Sequence, residues 1–197
     1  MQTIIPGEAE EKRNAIEAIV EQVKAGDIQA YKSIIIHFER QMYAYCLYIL
    51  KDHAETEDAV QEIFIRAYEH LYQYSRQVSF SAWLYKMAYH HLMNVKKKKS
   101  RWLRLVEHVK EQQPVQQFSQ QESVVHELLT HLSTEERHIL LLKAVEQYTF
   151  EEISEIMGVK SATIRKKYER LRRKLLESNS LIGGVAHGKV AASNGVR

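Results

Sequence analysis

The chain has 197 residues, of which 45% are hydrophobic and 27% charged, as is typical of a soluble globular protein with one or two small domains. Only seven glycines and two prolines interrupt abundant helix formers, so we expect an all-α fold. No apolar run reaches the roughly 20 residues that a membrane-spanning helix needs, and the N-terminus does not resemble a secretory signal. The single cysteine, Cys46, excludes an internal disulfide, so we expect a cytoplasmic protein.

The net charge of +3 hides a segregated pattern. Residues 86–110 and residues 159–176 each hold eight Lys or Arg against one acidic residue, whereas residues 52–69 hold six acids against one Arg. Two basic zones indicate two contacts with a polyanion. The acidic zone before them indicates a different partner.

Two amphipathic helices open the chain. The first is predicted over about Glu8 to Lys24, and Ala25–Asp27 ends it and caps the next helix. The second helix places apolar residues at alternating steps of three and four, which predicts an amphipathic helix with one long apolar stripe. Its members are Ile28, Tyr31, Ile35, Phe38, Met42, Tyr45 and Ile49.

A third helix follows an Asp52/Glu55 pair that is typical of a capping box. One face is apolar: Val60, Ile63, Phe64, Ala67, Leu71 and Tyr74. The opposite face carries Asp58, Gln61, Glu62, Ile65 and Glu69. Ile65 is either an ordinary exposed apolar side chain or the apolar centre of an acidic interface.

A loop, Tyr72 to Phe80, leads to a fourth helix from about Ser81 to Lys98. Its buried side is predicted to hold Leu84, Ala88, either His91 or Leu92, and Val95. Its other side carries Lys86, His90, Asn94 and Lys97 or Lys98. The lysine run at residues 96–99 is therefore predicted to be the last turn of a helix whose exposed stripe is already basic.

Four segments are predicted along the chain. Residues 1–99 form a first helical domain, and residues 100–122, with Pro114 and six glutamines, form a flexible linker. Residues 123–177 form a second helical domain. Residues 178–197 hold four of the seven glycines without periodicity, which predicts a disordered tail.

The second domain has the spacing of a helix-turn-helix. Capping boxes start helices at Ser133 and Thr149, and a third helix begins near Ser161. Between the last two helices, Gly158 supplies the positive φ that the turn needs. Ile153 and Ser154 are predicted at the helix crossing, and Val159 and Ile164 in the angle between the helices.

The third helix of this domain is predicted to bury Ile164, Tyr168, Leu171 and Leu175. Its outer face is rich in cations: Arg165, Lys166, Glu169, Arg170, Arg172 and Arg173. Such a face suits base edges and phosphates in a DNA major groove. The alternative is a solvated basic face on a structural helix.

Four stretches together resemble the extracytoplasmic-function (ECF) group of bacterial RNA polymerase sigma factors: KAGDIQAYKSI, AETEDAVQEIFIRAYEHL, FSAWLYKMAYHHLMNVKKKK and LSTEERHILLLKAVEQYTFEEISEIMGVKSATIRKKYERLRRKL. The resemblance spans about residues 20–176 apart from the linker. It implies that the chain binds core RNA polymerase and directs promoter recognition, DNA melting and transcription initiation. It also implies an anti-sigma factor as a partner and a linker that threads toward the RNA exit path.

The resemblance assigns roles to three sets of residues. Polymerase binding, to the clamp helices of the largest subunit, is implied for Asp58, Gln61, Glu62, Ile65 and Arg66. Recognition and opening of the downstream promoter element, with capture of one unstacked base, is implied for Tyr74, Ser75, Arg76, Gln77, Lys86, His90, Asn94, Lys97 and Lys98. Recognition of the upstream element is implied for Ser161, Thr163, Arg165, Lys166, Glu169, Arg170 and Arg173.

The sequence departs from the family pattern at four positions. Asn is frequent in the family where His90 stands, and Asp where Asn94 stands. The turn into the recognition helix often carries Pro and Gly where this chain has Lys160 and Ala162. Readout of individual bases is the property that these departures put in question.

Three other classes of function fit these sequence patterns less well. An enzyme is disfavoured because no His-Glu-x-x-His, no phosphate-binding glycine loop and no zinc-binding cysteine set occurs. We therefore expect no catalytic residue, no cofactor, no metal, no small-molecule substrate and no direct membrane insertion. A polymerase-independent helix-turn-helix regulator needs neither the acidic face nor the first basic helix. A module that binds polymerase without DNA would bind core polymerase but give no initiation on any promoter.

Overall fold

The computed structural model describes residues 6–105, residue 129 and residues 132–186, and within these ranges it contains helices and no strand. The elements are α1 (Pro6–Lys24), α2 (Ile28–Leu50), α3 (His53–Glu69), a 3₁₀ turn (Leu71–Gln73), α4 (Phe80–Leu105), α5 (Thr134–Leu140), which continues as a π-helical turn (Leu141–Val145), α6 (Phe150–Met157) and α7 (Ser161–Ala186). The predicted all-α class is confirmed. No helix in these ranges is apolar over a length that would cross a bilayer.

Helices α1, α3 and α4 pack around the buried face of α2. Phe38, Met42 and Tyr45 lie in this core as predicted, together with Ile34. The predicted apolar stripe is not buried along its whole length, because Ile28 is 64% exposed and Ile35 is only partly buried. Both isoleucines instead face a groove between α2 and α3.

Side-chain caps fix the starts of α2 and α3. Asp27 accepts hydrogen bonds from the backbone N–H groups of Gln29 at 3.0 Å and Ala30 at 3.2 Å. Asp52 accepts from the N–H of Glu55 at 2.9 Å. The Glu55 carboxylate pairs with the Lys99 ammonium on α4, so the predicted cap also ties α3 to the fourth helix.

Helix α4 carries the whole lysine run and is longer than predicted. Leu84, Ala88 and Leu92 are fully buried, so Leu92 rather than His91 takes the ambiguous core position. The predicted end near Lys98 is wrong, because α4 continues to Leu105 through a stretch without Gly or Pro. The rest of the predicted linker, residues 106–122, lies outside the described residues.

The helix-turn-helix forms from α6, a turn and α7. Complete capping boxes at Ser133 and Thr149 begin α5 and α6, as predicted. Gly158 adopts φ 67° and ends α6 in the left-handed region. Ile153 and Ile164 are fully buried at the crossing of the two helices. Helix α7 begins at Ser161 but extends to Ala186, beyond the predicted domain end at residue 177 and into the predicted tail, of which residues 187–197 lie outside the described residues.

The two domains share one continuous core. Ile139, Leu142 and Ile153 of the second domain belong to the same buried cluster as the α1–α4 core. The Tyr85 and Tyr148 rings meet edge to face at 5.5 Å, and the hydroxyls of Ser81 and Tyr148 are hydrogen-bonded. The helix-turn-helix is therefore docked on α4 rather than separated from it.

Candidate polymerase and nucleic-acid interfaces

The solvent side of α3 forms an acidic face around one apolar side chain. Asp58, Gln61 and Ile65 are exposed, Ile65 to 53%, and Glu62 is partly exposed. Glu62 Oε1 accepts a hydrogen bond of 2.6 Å from Arg66 Nε, one turn further along the helix. The structure thus brings together all five residues of the predicted polymerase-binding set on one helix face.

Beside this face lies an apolar groove between α2 and α3 with a volume of about 620 Å³. Ile28, Tyr31 and Ile35 form one wall, Ile65 and Tyr68 belong to the other, and Glu39, Gln61 and Glu69 also line it. The sequence interpretation missed this groove because it treated Ile28 and Ile35 as members of one continuous apolar stripe on α2. Ile28 is 64% exposed and Tyr68 is 40% exposed, so an exposed apolar surface adjoins the acidic face.

Residues 72–79, from within the 3₁₀ turn to the start of α4, are called the promoter loop below after their predicted contact with the downstream promoter element. Ser75, Arg76 and Gln77 are exposed on it, as a DNA contact requires. The prediction for Tyr74 is wrong: it is 2% exposed, and its hydroxyl hydrogen-bonds to Glu17 Oε1 at 2.7 Å. Tyr72, which the sequence interpretation missed, is 74% exposed and offers a ring on which a base could stack.

The exposed stripe of α4 matches the predicted positions. Lys86, His90, Asn94, Lys97 and Lys98 are all exposed. The other two lysines of the run are engaged within the protein: Lys96 Nζ donates to the Leu50 carbonyl at 3.4 Å, and Lys99 pairs with Glu55. Burial, with nearby Lys99 and Arg137, lowers the pKa of Lys96. The run therefore contributes two lysines to the outer surface and two to the fold.

Helix α7 presents its basic face to solvent. Thr163, Lys166, Glu169, Arg170 and Arg173 are exposed, whereas Ser161 is half-buried. Arg165 is exposed too, but its guanidinium lies over the Phe150 ring at 5.3 Å and 3.5 Å from Glu151. Both partners of that ion pair are mostly exposed, so the pair holds Arg165 only weakly.

A buried histidine lies at the junction of the two domains. His138 of α5 is fully buried, with Nδ1 2.7 Å from Tyr45 Oη and its ring 4.9 Å from the Tyr89 ring. Its Nε2 has no hydrogen-bond partner. Burial, with the charges of Arg137 and Lys96, lowers the pKa of His138 to about 3, so the docked form holds the ring neutral.

Reactive and metal-binding groups are scarce in the described ranges. No group of three His, Cys, Asp or Glu residues there could hold a metal ion. Cys46 is fully buried, and burial raises the pKa of its thiol to about 12. The thiol is a core residue, as its apolar sequence neighbours predicted.

Comparisons with known proteins agree with this geometry. Residues 34–102 match the family model of Sigma-70 region 2, and residues 123–175 match that of Sigma-70 region 4, so the two models together cover more than half of the chain. The chain is 27% identical over 172 residues to the "ECF RNA polymerase sigma factor SigW" of Bacillus subtilis, covering 79% of this chain and 92% of that protein.

Two solved structures share the fold. The chain matches CnrH, solved in complex with the cytosolic domain of CnrY, with a TM-score of 0.65, 16% identity and coverage of 83% of this chain and 96% of that one. It matches the sigma factor RpoE, solved with the anti-sigma factor NepR from Bartonella quintana, with a TM-score of 0.65, 18% identity and coverage of 76% and 96%.

Proposed function

This chain belongs to the sigma-70 family and is an ECF sigma factor, and we propose that three of its exposed surfaces divide the contacts of initiation between polymerase and promoter. As a sigma factor it binds core RNA polymerase and directs promoter recognition and transcription initiation. The observation that carries the residue-level proposal is the combination, in one chain, of the acidic α3 face with two separate exposed basic helix faces. A polymerase-independent regulator would need only the basic face of α7, the second helix of the helix-turn-helix.

The acidic α3 face is the surface proposed to bind the clamp helices of the polymerase largest subunit. Interfaces of this kind place an apolar contact at the centre and polar groups at the rim. Ile65 and the adjoining groove supply the apolar contact, and Asp58 and Glu62 supply the charged rim. A basic amphipathic helix has the complementary chemistry.

The promoter loop and the exposed stripe of α4 are proposed to bind the downstream promoter element. The loop offers Ser75, Arg76 and Gln77 for hydrogen bonds to an unstacked base, and Tyr72 for stacking. The stripe continues with Lys86, His90 and Asn94 toward the exposed lysines. Tyr74 is excluded from this set because its side chain is buried.

The exposed face of α7 is proposed to bind the upstream element. The helix follows the turn at Gly158, as the second helix of a helix-turn-helix does, and such helices lie in the major groove. Lys166, Arg170 and Arg173 are the exposed cations available for guanine edges or phosphates, and Arg165 joins them when it leaves Glu151.

Replacing Lys97 and Lys98 by Gln is expected to weaken promoter binding on all sequences and to lower its salt dependence. Each duplex phosphate contact contributes about −0.9 to the slope of log K against log salt, so losing two contacts should flatten the slope by up to about 2. The measurement is holoenzyme binding to labelled promoter DNA over a range of salt concentrations.

The control for this experiment comes from the same lysine run. Lys96→Gln with Lys99→Gln removes equal charge from lysines that bond to Leu50 and Glu55, and should flatten the slope less. Equal slopes for the two double variants would contradict the division of the run, and a loss confined to one promoter base would indicate direct readout instead.

Three further properties follow from family membership and remain proposals for this chain. The sigma-70 family regulates transcription, and we propose that the chain has no catalytic activity of its own. Its polymerase and promoter partners imply a cytoplasmic location. An anti-sigma factor is proposed as a partner because a protein with the same fold, RpoE, was solved with the anti-sigma factor NepR.

A mobility-shift experiment separates the proposed function from the regulator alternative. Promoter fragments are first selected from genomic DNA with the reconstituted holoenzyme, and the purified chain is then tested on them with and without core polymerase. A sequence-specific shift that appears only with core polymerase is the expected result. A specific shift by the chain alone at the same concentration would support the polymerase-independent regulator.

A further inference from the structure

Helix α1 contacts the promoter loop although it precedes the segment that matches Sigma-70 region 2, which begins at residue 34. Its Glu17 is 4% exposed, an unusual position for a carboxylate. A buried carboxylate is retained only where hydrogen bonds or opposite charges compensate for its lost hydration. Its bonding partners therefore indicate what it holds in place.

Glu17 Oε1 accepts two hydrogen bonds from opposite ends of the promoter loop. Tyr74 Oη, at the start of the loop, donates to it at 2.7 Å and also lies 2.9 Å from the Val78 carbonyl oxygen, a second acceptor within the loop. The backbone N–H of Phe80, the first residue of α4, donates to it at 3.0 Å from the other end. Because the first N–H groups of a helix have no acceptor within the helix, Glu17 serves as a cap for α4 supplied from a different helix.

The second carboxylate oxygen faces the loop's cation. Glu17 Oε2 is buried without a hydrogen bond, and Arg76 Nε lies 3.5 Å from it. The Arg76 side chain is 58% exposed, so this ion pair orients a residue that stays available to DNA. The pair itself is weakened by solvent, whereas the two hydrogen bonds to Oε1 are shielded.

A second residue of α1 secures the same loop from its backbone. Lys24 Nζ donates to the Tyr74 carbonyl at 2.7 Å and lies 5.2 Å from the centroid of the Tyr74 ring. Burial and the hydrogen bond to Glu17 raise the pKa of Tyr74, so its hydroxyl remains a donor. Tyr74 is thereby fixed at three points: its hydroxyl, its ring and its carbonyl.

From these contacts we propose that Glu17 and Lys24 of α1 are positioning residues for the downstream promoter element, acting through Tyr74 and Phe80 on the loop that captures the unstacked base. The proposal rests on the proposed function of the promoter loop. Preorganisation explains why a loop needs such anchoring: ordering a free loop at the moment of binding would subtract from the affinity for DNA.

The experiment measures binding of a fluorescent single strand, carrying the downstream element of a selected promoter, to the holoenzyme by anisotropy. Glu17→Ala and Lys24→Met are each expected to weaken this binding, Glu17→Ala by at least about tenfold because it removes two bonds to a charged acceptor. Affinity for core polymerase and for duplex upstream DNA should stay unchanged. Glu10→Ala, on the exposed part of α1, is the control and should match the wild type.

A conservative variant distinguishes positioning from general loss of structure. Glu17→Gln keeps a carbonyl oxygen that can accept from Tyr74 and Phe80 while it removes the charge beside Arg76. It is expected to recover binding to within about threefold of the wild type, since the exposed ion pair contributes little. If Glu17→Ala also loses affinity for core polymerase, it has disturbed the fold, and the result for Lys24→Met decides the question.

Loop variants separate failure of this proposal from failure of the proposed function. If Ser75→Ala with Gln77→Ala weakens single-strand binding but neither Glu17→Ala nor Lys24→Met does, the positioning role is overturned and the loop assignment stands. If the loop double variant binds like the wild type, the assignment of the loop to promoter DNA is wrong, and the positioning role is overturned with it.

Discussion

Replacing Glu62 by Lys together with Ile65 by Glu is expected to weaken binding to core RNA polymerase by about 100-fold, or about 2.7 kcal/mol. The first change reverses the charge of one residue on the acidic α3 face. The second places a carboxylate at the apolar centre of that face, where polymerase binding would remove its hydration water. Fluorescence titration of the labelled chain with core polymerase measures the effect. The stability of the first domain should change little, because Ile65 is 53% exposed and the Glu62 carboxylate forms a solvent-exposed ion pair with Arg66.

A matched control uses the same two substitution types elsewhere on the first domain. Glu57→Lys with Ile36→Glu changes an exposed acid of α3 and an isoleucine of α2 that is 65% exposed, neither of which lines the groove. This variant should bind polymerase like the wild type. Equal affinity of the Glu62/Ile65 variant and the wild type would show that the polymerase binds another surface.

Lowering the pH from 7.5 to 5.5 is expected to shift the equilibrium from docked to separated domains by about tenfold. His138 has a pKa of about 3 when docked, whereas an exposed imidazole titrates near 6.5. Because docking lowers the pKa of His138, the neutral ring stabilises the docked state at high pH. This stabilisation is lost as the pH falls below about 6.5 toward 3. One unit below 6.5, the loss is about 1.4 kcal/mol.

The other groups around the junction define the control for this pH effect. Tyr45 and Tyr89 face His138, and Arg137 and Lys96 add positive charge, which also opposes protonation of the ring. Burial raises the pKa of the Glu146 carboxyl at the same junction, so its protonation favours docking at low pH and works against the histidine. Comparison with a variant that lacks only His138 isolates the histidine term.

Energy transfer between dyes attached at Glu57→Cys in the first domain and Glu155→Cys in the second reports the separation of the domains. The labelling is specific to these two sites because the native Cys46 thiol is buried. His138→Asn retains a polar atom for Tyr45 but cannot be protonated, and its energy transfer should not fall over this pH range. His70→Asn, at an exposed position, should keep the wild-type response. A fall in transfer that persists in His138→Asn would assign the pH effect to other groups.

The features that the sequence predicted correctly are those fixed by neighbours along the chain. The capping boxes at Ser133 and Thr149 need only a Glu three residues later, and the turn needs only Gly158. The exposed stripe of α4 follows from helical periodicity once the helix itself is assigned. Four of the five side chains proposed to bind polymerase are polar, and Ile65 is the apolar exception that marked the face.

The features that the sequence did not predict depend on residues far apart in the chain. The Tyr74 hydroxyl can be buried because Glu17, 57 residues earlier, accepts a hydrogen bond from it, and no local pattern signals that bond. Docking of the second domain depends on contacts such as that between Tyr45 and His138, 93 residues apart. Ile28 belongs to the same periodic stripe as the core residues, but it lines the open groove between α2 and α3 and is 64% exposed.

Run-off transcription with core RNA polymerase reconstituted with this chain tests the central claim most directly. On a promoter selected from genomic DNA, the holoenzyme should produce a transcript of defined start, and core polymerase alone should not. The transcript should be lost with the Glu62→Lys/Ile65→Glu variant and kept with the Glu57→Lys/Ile36→Glu control. Binding to core polymerase without initiation from any selected promoter would contradict the assignment of this chain as a sigma factor.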